Sequence, residues 1–267
     1  MVRAPTTALA ARFSAAAETY EPSAEVQQTV AVQVARLLTD LPAPRQLLEI
    51  GCGTGLLTSL LRQALPAAII HALDVSPGML AEARTRHAPD TRIHWLLGDA
   101  RQFTPATTYE LIVSSSALHW IQPLPPLFQK LRTALSTDGH LVFGMMIDGT
   151  LAELHAARQR IAPDNPARAP LPTLRDVQEA LQAAHFQVLQ HERVSLHTHY
   201  PTASHLLQAI HAQGTTSGDL SQGNRPLRRH ELQRLLDDYT SHYSNGVGGV
   251  HATYDVLYVV ARPEEAG

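Results

Sequence analysis

The chain has 267 residues, of which 44% are hydrophobic and 17% are charged, and its formal net charge at pH 7 is −3. This balance predicts an ordinary globular protein with a large core and excludes a strongly basic, nucleic-acid-binding protein. The single cysteine, Cys52, excludes an internal disulfide and a zinc cluster, and the lack of an apolar run of roughly 20 residues or of a secretory signal core predicts a cytoplasmic protein without a membrane partner.

Apolar side chains recur at helical spacing ahead of the first predicted strand. Residues 24–38 are predicted to form a helix that stops before the proline-containing segment 41–44. One helical face, with steps of 4, 3, 4 and 3, carries Phe13, Ala17, Tyr20, Ala24 and Gln27. Residues 1–40 are therefore predicted to form an N-terminal helical cap.

The central part of the chain alternates between strand and helix patterns. Strands are predicted at 46–50, 69–75, 93–97, 110–115 and 140–146. Helices are predicted between them, near 55–65, 77–87 and 123–135. This alternation is typical of βαβ units with parallel strands and right-handed crossovers. Ligands on such sheets bind beyond the carboxyl ends of the strands, where the winding direction switches.

The pattern changes after residue 147. Further helices are predicted near 150–160, 173–184, 202–212 and 230–242. A proline-rich segment occupies 163–172, and strands are predicted at 186–199 and 254–261. The last strand is expected to return into the sheet in the antiparallel direction. The helices within 200–245 are expected to form an insertion that covers the active site.

Three glycines on alternate positions follow the first predicted strand. The strand carries Glu49, and Gly51, Gly53 and Gly55 come directly after it. The dinucleotide fingerprint G-x-G-x-x-G fails because residue 56 is leucine. An acid two residues before G-x-G-x-G resembles motif I of the class I S-adenosylmethionine (SAM) methyltransferases. The resemblance implies an α/β, Rossmann-like methyltransferase fold with a seven-stranded, mostly parallel sheet, an antiparallel last strand, and a SAM-binding core over residues 45–147.

Acidic residues end the second and third strands. Asp74 is placed to accept hydrogen bonds from both ribose hydroxyls of the cofactor, and Asp99 to accept one from the adenine amine. The alternatives are that Asp74 or Ser76 caps a helix and that Asp99 belongs to an ordinary turn. Met79 is expected on the adenine face or in the core. The predicted cofactor-binding residues are Glu49, Gly51, Cys52, Gly53, Gly55, Asp74, Val75, Met79, Gly98, Asp99, Ala100, Ser114 and His119.

The segment 114–120 ends the fourth strand beside the predicted position of the sulfonium. Its His119 is interpreted as a general base, a positioning donor or a packed loop histidine. His197 and His199 share a strand face, but no third ligand is evident, so no metal site is expected.

Several motifs together are similar to the malonyl-acyl-carrier-protein O-methyltransferase family, over almost the whole chain. They are the helical face 13–27, the glycine loop, Asp74 followed by Met79, and the segments 98–100, 117–120 and 149–154. The resemblance implies methylation of the free carboxylate of a malonyl thioester, borne by acyl-carrier protein or coenzyme A, at the start of biotin synthesis. His211-Ala212-Gln213 departs from it, because a lysine-glycine pair is expected there.

A lid and a carboxylate anchor are expected from this chemistry. Tyr20 is the candidate lid, with a core tyrosine as the alternative. The anchor is an arginine or a set of hydroxyl groups, and the candidates are Arg12, Arg158, Arg175, Tyr20 and Thr216. Three arginines are either a docking patch for an acidic carrier protein or a solvated surface: Arg225, Arg228 and Arg229.

The sequence is compatible with three alternative functions. The chain resembles methyltransferases enough that another small acid such as trans-aconitate, or a carbon or nitrogen centre, is a possible acceptor. A SAM-binding regulatory module without chemistry is a second alternative. An NAD-dependent dehydrogenase is a third, although Leu56 conflicts with it.

Overall fold

The computed structural model describes residues 6–87, 90–165, 171–213, 225–244, 246 and 248–264. Two helices precede the sheet: α1 (Thr6–Tyr20) and α2 (Glu25–Arg36), joined by a 3-10 turn at Glu21–Ser23. The predicted helical face from Phe13 to Gln27 is thus divided between two helices. Pro22 explains the break, because its ring and missing N–H are tolerated at the start of a helical turn but not inside a continuous helix.

Seven strands form one sheet in the order β3-β2-β1-β4-β5-β7-β6. Their bounds are β1 Gln46–Ile50, β2 Ile69–Asp74, β3 Ile93–Leu97, β4 Tyr109–Ser115, β5 Leu135–Met146, β6 Phe186–Tyr200 and β7 Val250–Pro263. Strands β1 to β5 pair in parallel, and β7 is antiparallel to both β5 and β6. The predicted fold class is confirmed, although β5 and β7 begin four or five residues earlier than the sequence pattern indicates.

Helices cover both faces of the sheet. Their bounds are α3 Leu56–Ala64, α4 Pro77–Arg86, α5 Leu124–Ala134, α6 Ala152–Ile161, α7 Leu174–Ala183, α8 Ala203–Ala212 and α9 Arg229–Tyr243. Adjacent strand residues point to opposite faces, so Leu47 packs in one hydrophobic cluster with Val30 and Leu61, and Leu48 in the other with Phe128. In the part of the chain that the structure describes, no helix is both long and apolar enough to cross a bilayer.

Helix α1 lies directly on the start of α4. The Ser14 hydroxyl is 2.8 Å from that of Ser76, and it accepts a hydrogen bond from the Gly78 N–H at 3.2 Å. A Cβ atom on Gly78 would lie 2.7 Å from the Ser14 Cα atom. Glycine is required here because only a residue without a side chain lets the two backbones approach so closely.

Replacing Gly78 with alanine tests this packing. We expect G78A to displace α1, with hydrogen exchange of the α1 amides rising about ten-fold while amides of β1 and β4 are unchanged. Hydrogen-exchange mass spectrometry measures both. S14A removes the hydroxyl without adding a clash and should give a smaller increase. Equal α1 exchange in G78A and the wild type would contradict the proposed role of the close approach.

Candidate active site

The loop after β1 turns sharply at its three glycines. Gly51, Gly53 and Gly55 have φ values of +69°, +56° and +92°, the left-handed region that favours glycine. The Gly51 and Cys52 N–H groups donate to the Leu73 carbonyl at 2.7 and 3.1 Å, which fixes the loop to the end of β2. A Cβ atom on Gly51 would lie 2.3 Å from the Cβ of Ala117, whereas one on Gly53 would meet nothing within 4 Å. Gly53 therefore faces open space.

Asp74 connects this loop to the start of α4. Its Oδ2 accepts a hydrogen bond from the Gly53 N–H and its Oδ1 one from the Ser76 N–H, both at 2.8 Å. Burial raises the pKa of Asp74, and the backbone N–H groups oppose that rise. A carboxylate has about four lone-pair sites, so each oxygen can still accept from a ligand.

Glu49 lies beneath the loop and is buried. The Thr58 hydroxyl donates to its Oε2 at 2.6 Å. Burial raises the pKa of Glu49 to about 8, and the negative charge of Asp74 adds to the rise. In most molecules this carboxyl group is therefore protonated at neutral pH. A ligand cation beside it would favour the ionised form.

Three adjoining cavities lie at the carboxyl ends of the parallel strands. The main cavity spans about 760 Å³, the side cavity about 520 Å³ and the inner cavity about 330 Å³, and each figure includes space open to solvent. All three share the side chains of Tyr20 and Ser116. Phe13 and Trp120, whose rings meet edge to face with centroids 5.7 Å apart, line both the main and the side cavity. The cavities are therefore compartments of one site.

Most of the predicted residues lie around this site. The main cavity is lined by Gly51, Gly53, Asp74, Val75, Met79, Gly98, Asp99 and Ala100. The inner cavity is lined by Glu49, Gly51, Cys52 and Gly53. Asp99 also holds Arg101, whose Nη2 donates to its Oδ2 at 2.7 Å. His119 lines the side cavity, where burial lowers its pKa to about 3.

Other predicted residues lie elsewhere. The Ser114 hydroxyl donates to the Ile50 carbonyl at 2.9 Å, and Ser115 and Ser116 line the main cavity instead. Gly55 caps the start of α3. Arg175 is exposed and pairs with Glu179 at 2.7 Å. Arg12 and Arg158 line none of the three cavities. Thr216 lies outside the described residues.

Two glutamines in the site were not predicted as functional. Gln27 lines the side and inner cavities, and Gln213, at the end of α8, lines the side cavity. The position of Gln27 on the helical face that also carries Phe13 and Tyr20 was a usable signal. Gln213 is 186 residues away from its partner Gln27 in sequence, and no local pattern relates the two.

Comparison with known proteins identifies the type of site. The methyltransferase-domain family matches residues 23–216. The malonyl-[acyl-carrier protein] O-methyltransferase of Anoxybacillus flavithermus is 32% identical, over 93% of this chain and 94% of the relative. The chain belongs to the malonyl-[acyl-carrier protein] O-methyltransferase family. The malonyl-[acyl-carrier protein] O-methyltransferase of Brevibacillus brevis is 30% identical to this chain, over 97% of each of the two chains.

The fold comparison agrees with this assignment. The N-methyltransferase NodS of Bradyrhizobium japonicum, solved with S-adenosylhomocysteine, has a TM-score of 0.51 at 19% identity, over 88% of this chain and 86% of that one. Together with the methyltransferase-domain match and the family assignment, this makes the protein a SAM-dependent methyltransferase. The residues fit this cofactor, because Gly53 borders open space, Asp74 keeps spare lone pairs, and the buried Ser116 hydroxyl lining all three cavities has no partner among the described residues. The described histidines, cysteines and acids form no group of three or more that could hold a metal ion.

The raised pKa of Glu49 gives a pH prediction for cofactor binding. Below pH 8 the free methyltransferase holds a proton on Glu49, and binding of the ammonium group in the zwitterionic tail of S-adenosylhomocysteine favours its release. We expect affinity to fall as the pH drops below 8, by up to about ten-fold per pH unit, with net proton release near pH 7. Titration calorimetry in buffers of different ionisation enthalpy measures both quantities.

The control for this prediction is E49Q, which keeps the shape of the side chain but cannot ionise. It should remove the additional pH dependence and leave only that of the ligand's own amino group. If the wild type and E49Q release the same number of protons at pH 7, Glu49 does not ionise on binding.

Proposed function

We propose that the enzyme transfers the methyl group of SAM to the free carboxylate of a malonyl thioester borne by acyl-carrier protein. The names of the relatives from Anoxybacillus flavithermus and Brevibacillus brevis support this acceptor. The proposal places the reaction in the cytoplasm, at the start of biotin synthesis, where the ester masks the charge of the malonyl group.

The observation that carries the proposal is the absence of a usable base among the described residues of the side cavity. The titratable groups that line it are Tyr20, His119 and Tyr254. With a pKa of about 3, His119 is neutral and too weak to take a proton from an alcohol or an ammonium group. Burial raises the pKa of both tyrosines, so neither supplies a phenolate. A carboxylate, with a reference pKa of about 4, arrives already ionised and needs no base.

The uncharged lining of the side cavity favours a thioester over a free diacid. None of its described lining residues carries a charge, while Gln27, Ser116, Thr150 and Gln213 supply neutral polar groups. A malonyl thioester brings one carboxylate, which is attracted by the cationic sulfur of the cofactor. Free malonate or trans-aconitate brings further charges that would be desolvated without a partner. These neutral groups are proposed to take the place of the arginine anchor expected from the sequence.

The cofactor is proposed to occupy the main and inner cavities. Asp74 then accepts from the ribose hydroxyls, Asp99 accepts from the adenine amine, and Met79 packs on the adenine face. Cys52 lines the inner cavity, and Val75, Gly98 and Ala100 line the main cavity, so these four residues are proposed to border the cofactor. When bound, this group supplies an electrophilic methyl carbon on positively charged sulfur.

The protein's own contribution is alignment and exclusion of water. Phe13, Tyr20 and Trp120 form the wall shared by the main and side cavities, so they border both reactants. Tyr20 at the end of α1 is proposed to close the site. Methyl transfer joins a cation and an anion into neutral products, and water stabilises the separated charges. A dry site therefore accelerates the reaction, and alignment of oxygen, carbon and sulfur is worth several kcal/mol.

A panel of acceptors tests the proposal. With SAM labelled in its methyl group, we expect methyl ester from malonyl-acyl-carrier protein and, with higher KM, from malonyl-coenzyme A. Free malonate and trans-aconitate should react with kcat/KM lower by about 100-fold or more, because of the unpaired second charge. Transfer to free diacids at the thioester rate would contradict the acceptor assignment. SAM binding without transfer to any acceptor would instead indicate a regulatory module.

The proposed docking patch contains two arginines that are available for a partner. Arg225 is held by Glu231 and by Asp164, at 2.7 and 3.3 Å, and thus fixes the start of α9. Arg228 and Arg229 are exposed at that end of the helix. We propose that this pair contacts the acidic carrier protein, while Arg225 holds their position.

Charge reversal separates docking from chemistry. We expect R228E/R229E to raise KM for malonyl-acyl-carrier protein about ten-fold, while the constants for the small thioester malonyl-N-acetylcysteamine are unchanged. The matched control R36E/R84E reverses two exposed arginines of α2 and α4 and should alter neither KM. Unchanged KM for the carrier-bound substrate in R228E/R229E would remove this surface from consideration.

A further inference from the structure

A chain of hydrogen bonds with only one permitted direction ends in the active site. The Gln213 Nε2 donates to the Ser23 carbonyl, and the Gln27 Nε2 donates to the Gln213 Oε1 at 3.1 Å. A carbonyl oxygen cannot donate, so the first contact fixes the orientation of the Gln213 amide, and that in turn fixes the Gln27 amide. The Gln27 Oε1 is left buried and without a partner among the described residues.

This oxygen belongs to a side chain on the wall of the inner cavity. Gln27 is only 8% exposed and lines both the inner and the side cavity. The inner cavity also carries the Glu49 carboxyl group, and no described residue that lines it is basic. A buried acceptor without a donor is rare in folded proteins and destabilises them. Two acceptor groups on one small cavity suit a ligand cation that has several hydrogens to donate.

We propose that Gln27 is a cofactor-binding residue whose Oε1 accepts a hydrogen bond from the α-ammonium group of the methionine moiety, and that Gln213 orients it. The inference rests on the SAM dependence of the enzyme and not on the identity of the acceptor. It assigns the inner cavity to the amino-acid end of the cofactor, with Gln27 and Glu49 as the two acceptors of the ammonium group.

The same contact connects the cofactor to the wall of the acceptor compartment. Gln213 terminates α8 and lines the side cavity. A second bond, from the Thr19 hydroxyl to the Ala212 carbonyl at 3.2 Å, holds this end of α8 to α1. A bound ammonium group that fixes Gln27 therefore also strengthens the attachment of α8. Because such coupling is reciprocal, a filled inner cavity favours acceptor binding and a bound acceptor favours retention of the cofactor.

The test compares three ligands by titration calorimetry: S-adenosylhomocysteine, its deamino analogue, which keeps the tail carboxylate, and methylthioadenosine, which has no amino-acid tail. We expect Q27M to weaken S-adenosylhomocysteine about ten- to hundred-fold, because a hydrogen bond to a charged group is lost. Affinity for the deamino analogue and for methylthioadenosine should change less than about two-fold. Q213M should weaken S-adenosylhomocysteine by a smaller factor, since the acceptor atom remains but its orientation is lost.

The matched control is Q28M, which alters the adjacent exposed glutamine and should leave all three affinities unchanged. Equal losses for S-adenosylhomocysteine and methylthioadenosine in Q27M would show a merely structural role and overturn the proposal. An unchanged affinity for S-adenosylhomocysteine would overturn it too. If Q27M does not fold, Q213M provides the same comparison. No acceptor is present, so failure here is separate from failure of the malonyl thioester assignment.

Discussion

The site depends on one carboxylate, that of Asp74, which binds backbone N–H groups of two different loops. Its contacts with Gly53 and Ser76 join the glycine loop after β1 to the start of α4. Burial alone would drive this group toward the neutral acid, and the backbone donors oppose that tendency. Because α1 in turn rests on Ser76 and Gly78, the position of the N-terminal cap also follows from this carboxylate.

The two N-terminal helices are fastened to the site by Glu21. Glu21, just after α1, accepts a hydrogen bond from the Thr54 hydroxyl at 2.8 Å and pairs with Arg86. One acidic side chain thus fastens the cap to both the glycine loop and α4. Phe13 and Tyr20 are thereby held in the walls of the main and side cavities, which is the position that the proposed exclusion of water requires.

The fold was largely predictable, and the site only in part. Continuous apolar runs identified the strands. Residues at or just after the strand ends, such as Asp74 and Asp99, line the main cavity, as the parallel topology requires. Ser114 lines none of the three cavities because it still lies within β4, where its hydroxyl donates to the Ile50 carbonyl. Ser116, with a φ of +54°, turns the chain, so the cavity receives Ser115 and Ser116. The contact of Gln27 with Gln213 joins distant segments, and the long arginine side chains give no positional signal in sequence.

Backbone strain and unpaired buried polar atoms occur together on the walls of the side cavity. Ser116 and Leu151 are non-glycine residues at positive φ, and both line the side cavity. The buried Ser116 Oγ, Gln27 Oε1 and His119 Nδ1 have no partners among the described residues and belong to side chains on the same walls. A nearby group with a structural role, the Ser114 hydroxyl, has a partner in the protein, because it donates to the Ile50 carbonyl. Strain and unpaired polar atoms persist where surrounding structure over-determines them and where a ligand supplies the missing partner. These walls are therefore shaped for polar ligands rather than for the stability of the protein itself.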